Sequence, residues 1–221
     1  MKEKDGSAGS RGTLLEEHMG KKTSYTRAPP LACRDDLLGS LAHAWEMLQA
    51  GATDRSVPFH LPTLATVDPD GQPHARIVVL RDCNVEERWL RFNTDLRSPK
   101  VSQIEANPRG ALHFYDKFHK IQLRLKVRLE LLEDAALADV WDGVQHYSRE
   151  CYQITKAPGT ALESPQDVPV DPERTQEGRD HFTAVRANIL SIDWLYLSSR
   201  QHRRALFDFS DGSLESSWIV P

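Results

Sequence analysis

From Ile121 to Leu131 the odd positions are all Ile, Leu or Val, while the even positions are Gln122, Arg124, Lys126, Arg128 and Glu130. Side chains of an extended chain alternate between two faces, so this run predicts a long strand with one core face and one polar face. Such a polar face usually meets solvent. A subunit interface bearing a polar ligand is the sharper reading, with Gln122 as its amide contact. A different period precedes it. Leu37, Leu38, Leu41, Ala44, Trp45 and Leu48 recur at three and four residues and predict a helix over about Asp35 to Ala50, with Asp35 as N-cap and Gly51 as stop.

Between these elements, Leu64–Val67 and Pro73–Arg81 flank the turn Asp68-Pro69-Asp70-Gly71 and predict a β-hairpin. Arg88–Asn93 reads as a third strand running into a turn at Thr94-Asp95-Leu96, and Gly110–Tyr115 as a fourth. Beyond the long strand, a helix over Asp134–Val144 is expected, capped by Asp134 and packing Leu137, Val140, Trp141 and Val144. Thr155–Asp180 holds Pro158, Pro165, Pro169 and Pro172 among polar residues and predicts a long structureless loop, the kind that serves as a lid or stays mobile. Strands near Ser191–Leu197 and Arg204–Ser210 and a short piece at Trp218–Pro221 follow. Residues 1–30 lack apolar periodicity and predict a mostly disordered tail. The sum is a mainly β chain, a single antiparallel barrel domain over residues 31–221 with helices added at its periphery.

Composition narrows the partners. The 221 residues suffice for one substantial core. A net charge of −4 argues against a nucleic-acid coat or a polybasic membrane anchor, so any phosphate-binding patch has to be local. No apolar run reaches membrane-spanning length, and the N-terminus shows no signal-peptide core. Cys33, Cys83 and Cys151 are odd in number and far apart, which predicts reduced thiols in a cytoplasmic protein and no metal site.

The candidate chemistry concentrates in Arg76 to Pro108, RIVVLRDCNVEERWLRFNTDLRSPKVSQIEANP. Ser98 suits an N-cap, Pro99 the first helical position, and Pro108 a stop. Free N–H groups at that helix start, the Ser98 hydroxyl, Arg97 and Lys100 suit a phosphate dianion. Arg76 and Arg81 are placed to add charge-assisted contacts, each worth roughly 1.5–3 kcal/mol. Taken alone, the pattern is also that of a capped helix after a hairpin with solvated arginines.

The order of the pieces changes that. Arg-x-Val-x-Leu-Arg, then Asn93-Thr94, then Arg97-Ser98-x-Lys100, then Gln-Ile-Glu-x-Asn-Pro resembles the FMN-binding core of the pyridoxamine 5'-phosphate oxidase-like flavoproteins. The resemblance implies an antiparallel split β-barrel that works as a homodimer with FMN at the subunit interface. It lays the strand of Arg76, Ile77, Val78 and Val79 along the flavin, gives Ser98 and Lys100 to the phosphate, and brings Gln122 to the ring. A second match follows. Trp194, then Arg200-Gln201-His202-Arg203-Arg204, resembles the family's C-terminal Trp and Arg-x-His-x-Arg. It implies Trp194 and Arg204 as flavin contacts and Arg200 and His202 as substrate contacts.

This chain departs from the family at Pro99, Asn93, Ile121 and Arg81, which stand for an Arg, an aromatic residue, an Arg and a Lys. Arg97 is placed to compensate for Pro99. Tyr147, Ser148 and Arg149 carry the residue types of the family's remaining substrate cluster at a different spacing, which makes Arg149 a further substrate candidate. The pattern resembles a divergent subgroup. It implies a flavoprotein oxidoreductase passing a hydride between a small, phosphorylated or pyridoxal-like substrate and flavin N5. The alternatives are an FMN-dependent flavin or nicotinamide reductase, or a non-catalytic FMN- or haem-binding module with His113 or His119 as haem ligand.

Overall fold

The computed structural model describes residues 31–170, 177–199 and 201–221. The predicted tail and Arg200 lie outside them. In chain order the strands are β1 (Thr63–Val67), β2 (Pro73–Ile77), β3 (Leu80–Asn84), β4 (Trp89–Asp95), β5 (Arg109–Asp116), β6 (Ile121–Leu131), β7 (Phe182–Tyr196), β8 (Arg203–Asp208) and β9 (Glu215–Trp218). The helices are α1 (Leu37–Thr53), α2 (Pro99–Ala106), α3 (Asp134–Asp142) and α4 (His146–Arg149).

Every pairing is antiparallel, in the order β2-β1-β5-β6-β7-β4-β3, with β8 joining β7 to β9. One edge of β7 pairs along β6. The other edge is divided: Phe182–Asn188 pairs with β4, and Ser191–Tyr196 with β8. The sheet therefore parts into two branches at β7, which makes this a split β-barrel. The predicted alternation of β6 holds, since Ile121, Leu123, Leu125, Val127 and Leu129 are buried while Arg124, Lys126, Arg128 and Glu130 are exposed. Each such buried aliphatic side chain contributes about 1.5–3 kcal/mol. Leu41, Ala44, Trp45 and Leu48 of α1 pack into the same core.

Several expectations are corrected. Helix α1 is capped by Asp36, whose carboxylate accepts from the Gly39 N–H at 3.1 Å, rather than by Asp35. Gly51 lies inside α1 and does not end it. A Cβ there would sit 2.7 Å from the Phe59 backbone, so glycine allows the segment after the helix to pack close. The expected strand Pro73–Arg81 divides into β2 and β3 at Val78, whose N–H donates to the Pro62 carbonyl at 2.9 Å. Thr94 and Asp95 finish β4 instead of forming a turn. Asp134 is the first residue of α3, not its cap, and Glu133 holds the cap position.

Strand β7 begins at Phe182, well before the expected Ser191. Its first four residues are all buried, because α3 and Tyr152 cover the face that elsewhere meets solvent. A strand buried on both faces loses the alternation that reveals it. The segment after Thr155 is also more ordered than expected. It carries a short turn of helix at Pro165–Asp167 and a bridge between Ile154 and Val170.

Candidate functional site

A polar constellation joins β1, β2, β4 and α2. Lys100 Nζ donates to Thr94 Oγ1 at 2.8 Å and to Ser98 Oγ at 2.6 Å. Ser98 holds the N-cap position with extended backbone and Pro99 follows it, but the hydroxyl takes no backbone N–H and serves Lys100 instead. The helix start offers fewer free donors than the sequence suggests, because Pro99 has none and the Val101 N–H goes to the Ser98 carbonyl. Arg76 Nη2 donates to Gln103 Oε1 at 3.1 Å, and Nη1 donates to Thr66 Oγ1. The Thr66 hydroxyl in turn donates to Gln103 Oε1 at 2.6 Å.

Arg76 and Lys100 thus approach each other with only neutral oxygens as partners. Asp95, the carboxylate at hand, is taken by Arg97, at 2.7 Å from Nη2 and 3.0 Å from Nε. Among the described residues no carboxylate forms an ion pair with Arg76 or Lys100. Burial, and next the Arg76 charge, push the Lys100 ammonium below its usual range, with Asp95 opposing. Burial likewise lowers Arg76. Two cations held together without a counter-charge make a site that an anion relieves.

Arg97 is not free to join them. Besides Asp95, it donates to the carbonyls of Ile154 at 2.8 Å and Thr155 at 3.0 Å. It therefore pins the segment Cys151–Pro169 beside the cluster. That segment and Thr94, Ser98 and Lys100 enclose a cavity of about 430 Å³.

The other flavin candidates stand elsewhere. Tyr115, Gln122, Leu195 and Arg204 are successive partners across β5, β6, β7 and β8. They form one row on the outer face, with Gln122 and Arg204 flanking Leu195. Leu64, Leu112 and Leu125 link Arg76 by the same register to the core face. Within one chain, Gln122 and Arg204 therefore face away from Arg76. Arg204 is paired with Asp193, at 2.8 Å, and Arg124 also reaches that carboxylate. His202 lines a hollow of about 280 Å³ with Arg203, Arg204, Trp218 and Ile219. Trp194 is fully buried on the core face, its indole N–H without a partner among the described residues. It stacks on Tyr196 and meets Trp218 edge-on, and it stands apart from the Gln122–Arg204 row.

Ile77 is 65% exposed beside buried Val78 and half-buried Val79, so an apolar surface is offered at Ile77 alone. Arg81 and Asn93 line a third cavity, of about 590 Å³, with Arg55, Arg91 and Arg186. Asn93 accepts there from Arg91 at 3.0 Å. Arg149 is turned to the end of α3, donating to the carbonyls of Val144 and Trp141 at 3.0 and 2.9 Å. His113 is exposed on the outer face, and His119 is held by Asp116 at 2.6 Å. Sequence reasoning gave no role to Thr66, Gln103, Arg55, Arg91 or Arg186. Gln103 was the most legible of them, since it follows Lys100 by one helical turn.

Residues 42–133, which carry Arg76, Thr94, Ser98, Lys100 and Gln122, match the family model described as pyridoxamine 5'-phosphate oxidase, FMN-binding domain. This stretch is an FMN-binding domain of that type. Among the described residues Arg76 and Lys100 lack a carboxylate partner, a charge balance that suits a phosphate group. A pyridoxine/pyridoxamine 5'-phosphate oxidase of Caulobacter vibrioides is 26% identical over 93% of this chain and 94% of its own length. One from Cupriavidus necator is 45% identical over 82 residues, 35% of this chain and 36% of its own. Among solved structures, a pyridoxamine 5'-phosphate oxidase-related, FMN-binding protein of Nostoc punctiforme superposes with a TM-score of 0.68. It is 25% identical, over 83% of this chain and 96% of its own. PhzG from Burkholderia lata, solved with tetrahydrophenazine-1-carboxylic acid, shares the fold at a TM-score of 0.65 and 17% identity, over 88% and 98% of the two chains. The chain thus carries, over residues 42–133, an FMN-binding domain similar to that of pyridoxamine 5'-phosphate oxidases. Among the described residues no helix is long and apolar enough to cross a membrane.

Proposed function

We propose that this chain is an FMN-dependent oxidoreductase that acts as a homodimer on a small anionic, pyridoxal-like substrate. The observation that carries the cofactor's place is the Arg76–Lys100 pair, which has hydroxyl and amide partners and, among the described residues, no carboxylate. Ser98 and Thr94 orient the Lys100 ammonium toward the phosphate, and Arg76 supplies the second charge. Bound FMN supplies hydride acceptance at N5. The residues position it and set its electrostatics.

The homodimer rests on geometry. Gln122 and Arg204 project from the opposite sheet face to Arg76, so flavin contacts from both groups come together only when two copies meet. The substrate class rests on charge. The cavity of Arg81 and Asn93 gathers four arginines, Arg55, Arg81, Arg91 and Arg186, against Asp82 and Asp139, a balance that favours an anion. His202 and Arg200 complete the proposed substrate contacts.

The first test is the visible spectrum of the protein after incubation with FMN and desalting, together with its mass in solution. Retained flavin in a dimer is expected. A colourless monomer overturns the reading. Stopped-flow reduction by pyridoxamine phosphate and by NADPH then separates an oxidase from a nicotinamide-dependent reductase, and faster reduction by NADPH overturns the substrate proposal.

A further inference from the structure

Gln103 is 5% exposed and Thr66 1% exposed, yet the Gln103 amide oxygen and the Thr66 hydroxyl both accept from the Arg76 guanidinium. Their placement is specific to the fold. Thr66 stands two residues along β1 from Leu64, the partner of Arg76, so it is the diagonal neighbour of Arg76 on the core face. Gln103 reaches the same guanidinium from α2, one turn after Lys100. A single helix therefore supplies one cation of the pair and the tether of the other.

We propose that Gln103 is a positioning residue for the phosphate of the cofactor, its amide oxygen fixing the Arg76 guanidinium beside Lys100 without neutralising it. The choice of an amide is the point. A carboxylate at this position has the same length and would hold Arg76 as firmly. It would also form a buried ion pair, leaving the guanidinium less to offer an incoming anion. An apolar side chain would leave the charge but release the group that carries it. Thr66 completes the arrangement by donating its own proton to the Gln103 oxygen, so its lone pairs stay open to Arg76. The inference rests on the proposed place of the FMN phosphate, and the test separates the two.

Full-length protein is titrated with FMN and with riboflavin, following flavin fluorescence. The ratio of the two affinities reads the phosphate contacts alone, which a general loss of packing would not change selectively. Gln103→Glu is expected to lower that ratio about tenfold or more, the size of one lost charge-assisted contact, with riboflavin binding unchanged. Gln103→Met is expected to lower it by a smaller factor. Lys100→Ala is the reference. If Lys100→Ala abolishes the preference for FMN while Gln103→Glu keeps it, the inference about Gln103 is overturned and the phosphate site stands. If both variants keep the preference, the phosphate site itself is misplaced and the inference goes with it. Should Gln103→Glu fail to fold, a wild-type ratio in Gln103→Met overturns the inference.

Discussion

Replacing both Arg76 and Lys100 by alanine separates a binding role from a structural one. In the proposed site each side chain gives the phosphate a charge-assisted contact worth about 1.5–3 kcal/mol, so losing both is expected to cost about 3–6 kcal/mol and raise the FMN Kd about 10²- to 10⁴-fold. The consequence for stability follows by mass action. At a concentration about 100 times Kd, FMN stabilises the native state by about 2.7 kcal/mol, which for a chain of this size is about 5–10 °C in Tm. In the double variant the same concentration lies near or below Kd, and the shift shrinks to about 1 °C. The ligand-free protein behaves differently. Arg76 and Lys100 repel each other and are partly desolvated, with only neutral oxygens in exchange. Removing them is therefore expected to leave the ligand-free Tm unchanged or raised. Differential scanning fluorimetry with and without FMN reads both quantities. A large fall in the ligand-free Tm with the FMN shift intact would falsify the site and make the pair a structural device.

Other outcomes follow from the same geometry. Burial and the Arg76 charge lower Lys100, so in the folded chain its proton leaves at a lower pH than in the unfolded chain, where it stays until about 10.4. Between those values the unfolded state binds more protons, so ligand-free stability rises with pH while FMN affinity falls; a flat affinity profile over that window contradicts the role of Lys100. Arg97→Ala removes the donors that hold the carbonyls of Ile154 and Thr155, and limited proteolysis within residues 154–170 should accelerate while global Tm changes little. Unchanged cleavage would show that the bridge between Ile154 and Val170 suffices. His202→Ala is expected to slow substrate turnover with bound flavin intact, and simultaneous flavin loss contradicts its proposed place on the substrate side.

The sequence exposed what depends on period and punctuation. The bounds of β6 follow from its strict alternation, and the start of α2 from Ser98 and Pro99. The split-barrel class and the cofactor followed from the order of motifs. What stayed hidden depends on neighbours distant in sequence. The beginning of β7 lacks alternation because α3 covers its second face. The engagement of Arg97 could not be read from Arg97-Ser98-x-Lys100, since its partners include carbonyls beyond residue 150. Gln103 was visible as a letter of the motif but not as a partner of Arg76, because only the packing of α2 against β1 brings them together. The opposition of Gln122 and Arg76 across the sheet is a matter of register, which spacing along the chain does not reveal.

The divided edge of β7 also sets the order in which this protein can assemble. β4 and β6 are both complete only when Phe182–Tyr196 lies between them, so neither gains its second neighbour until that distant segment has emerged from the ribosome. Until then both strands present open hydrogen-bonding edges, the surfaces on which nascent chains aggregate. The fold is accordingly one of long sequence separation and slow folding. A chain cut short before residue 182 would retain nearly all of its FMN-binding motif and lack the strand that lets it fold.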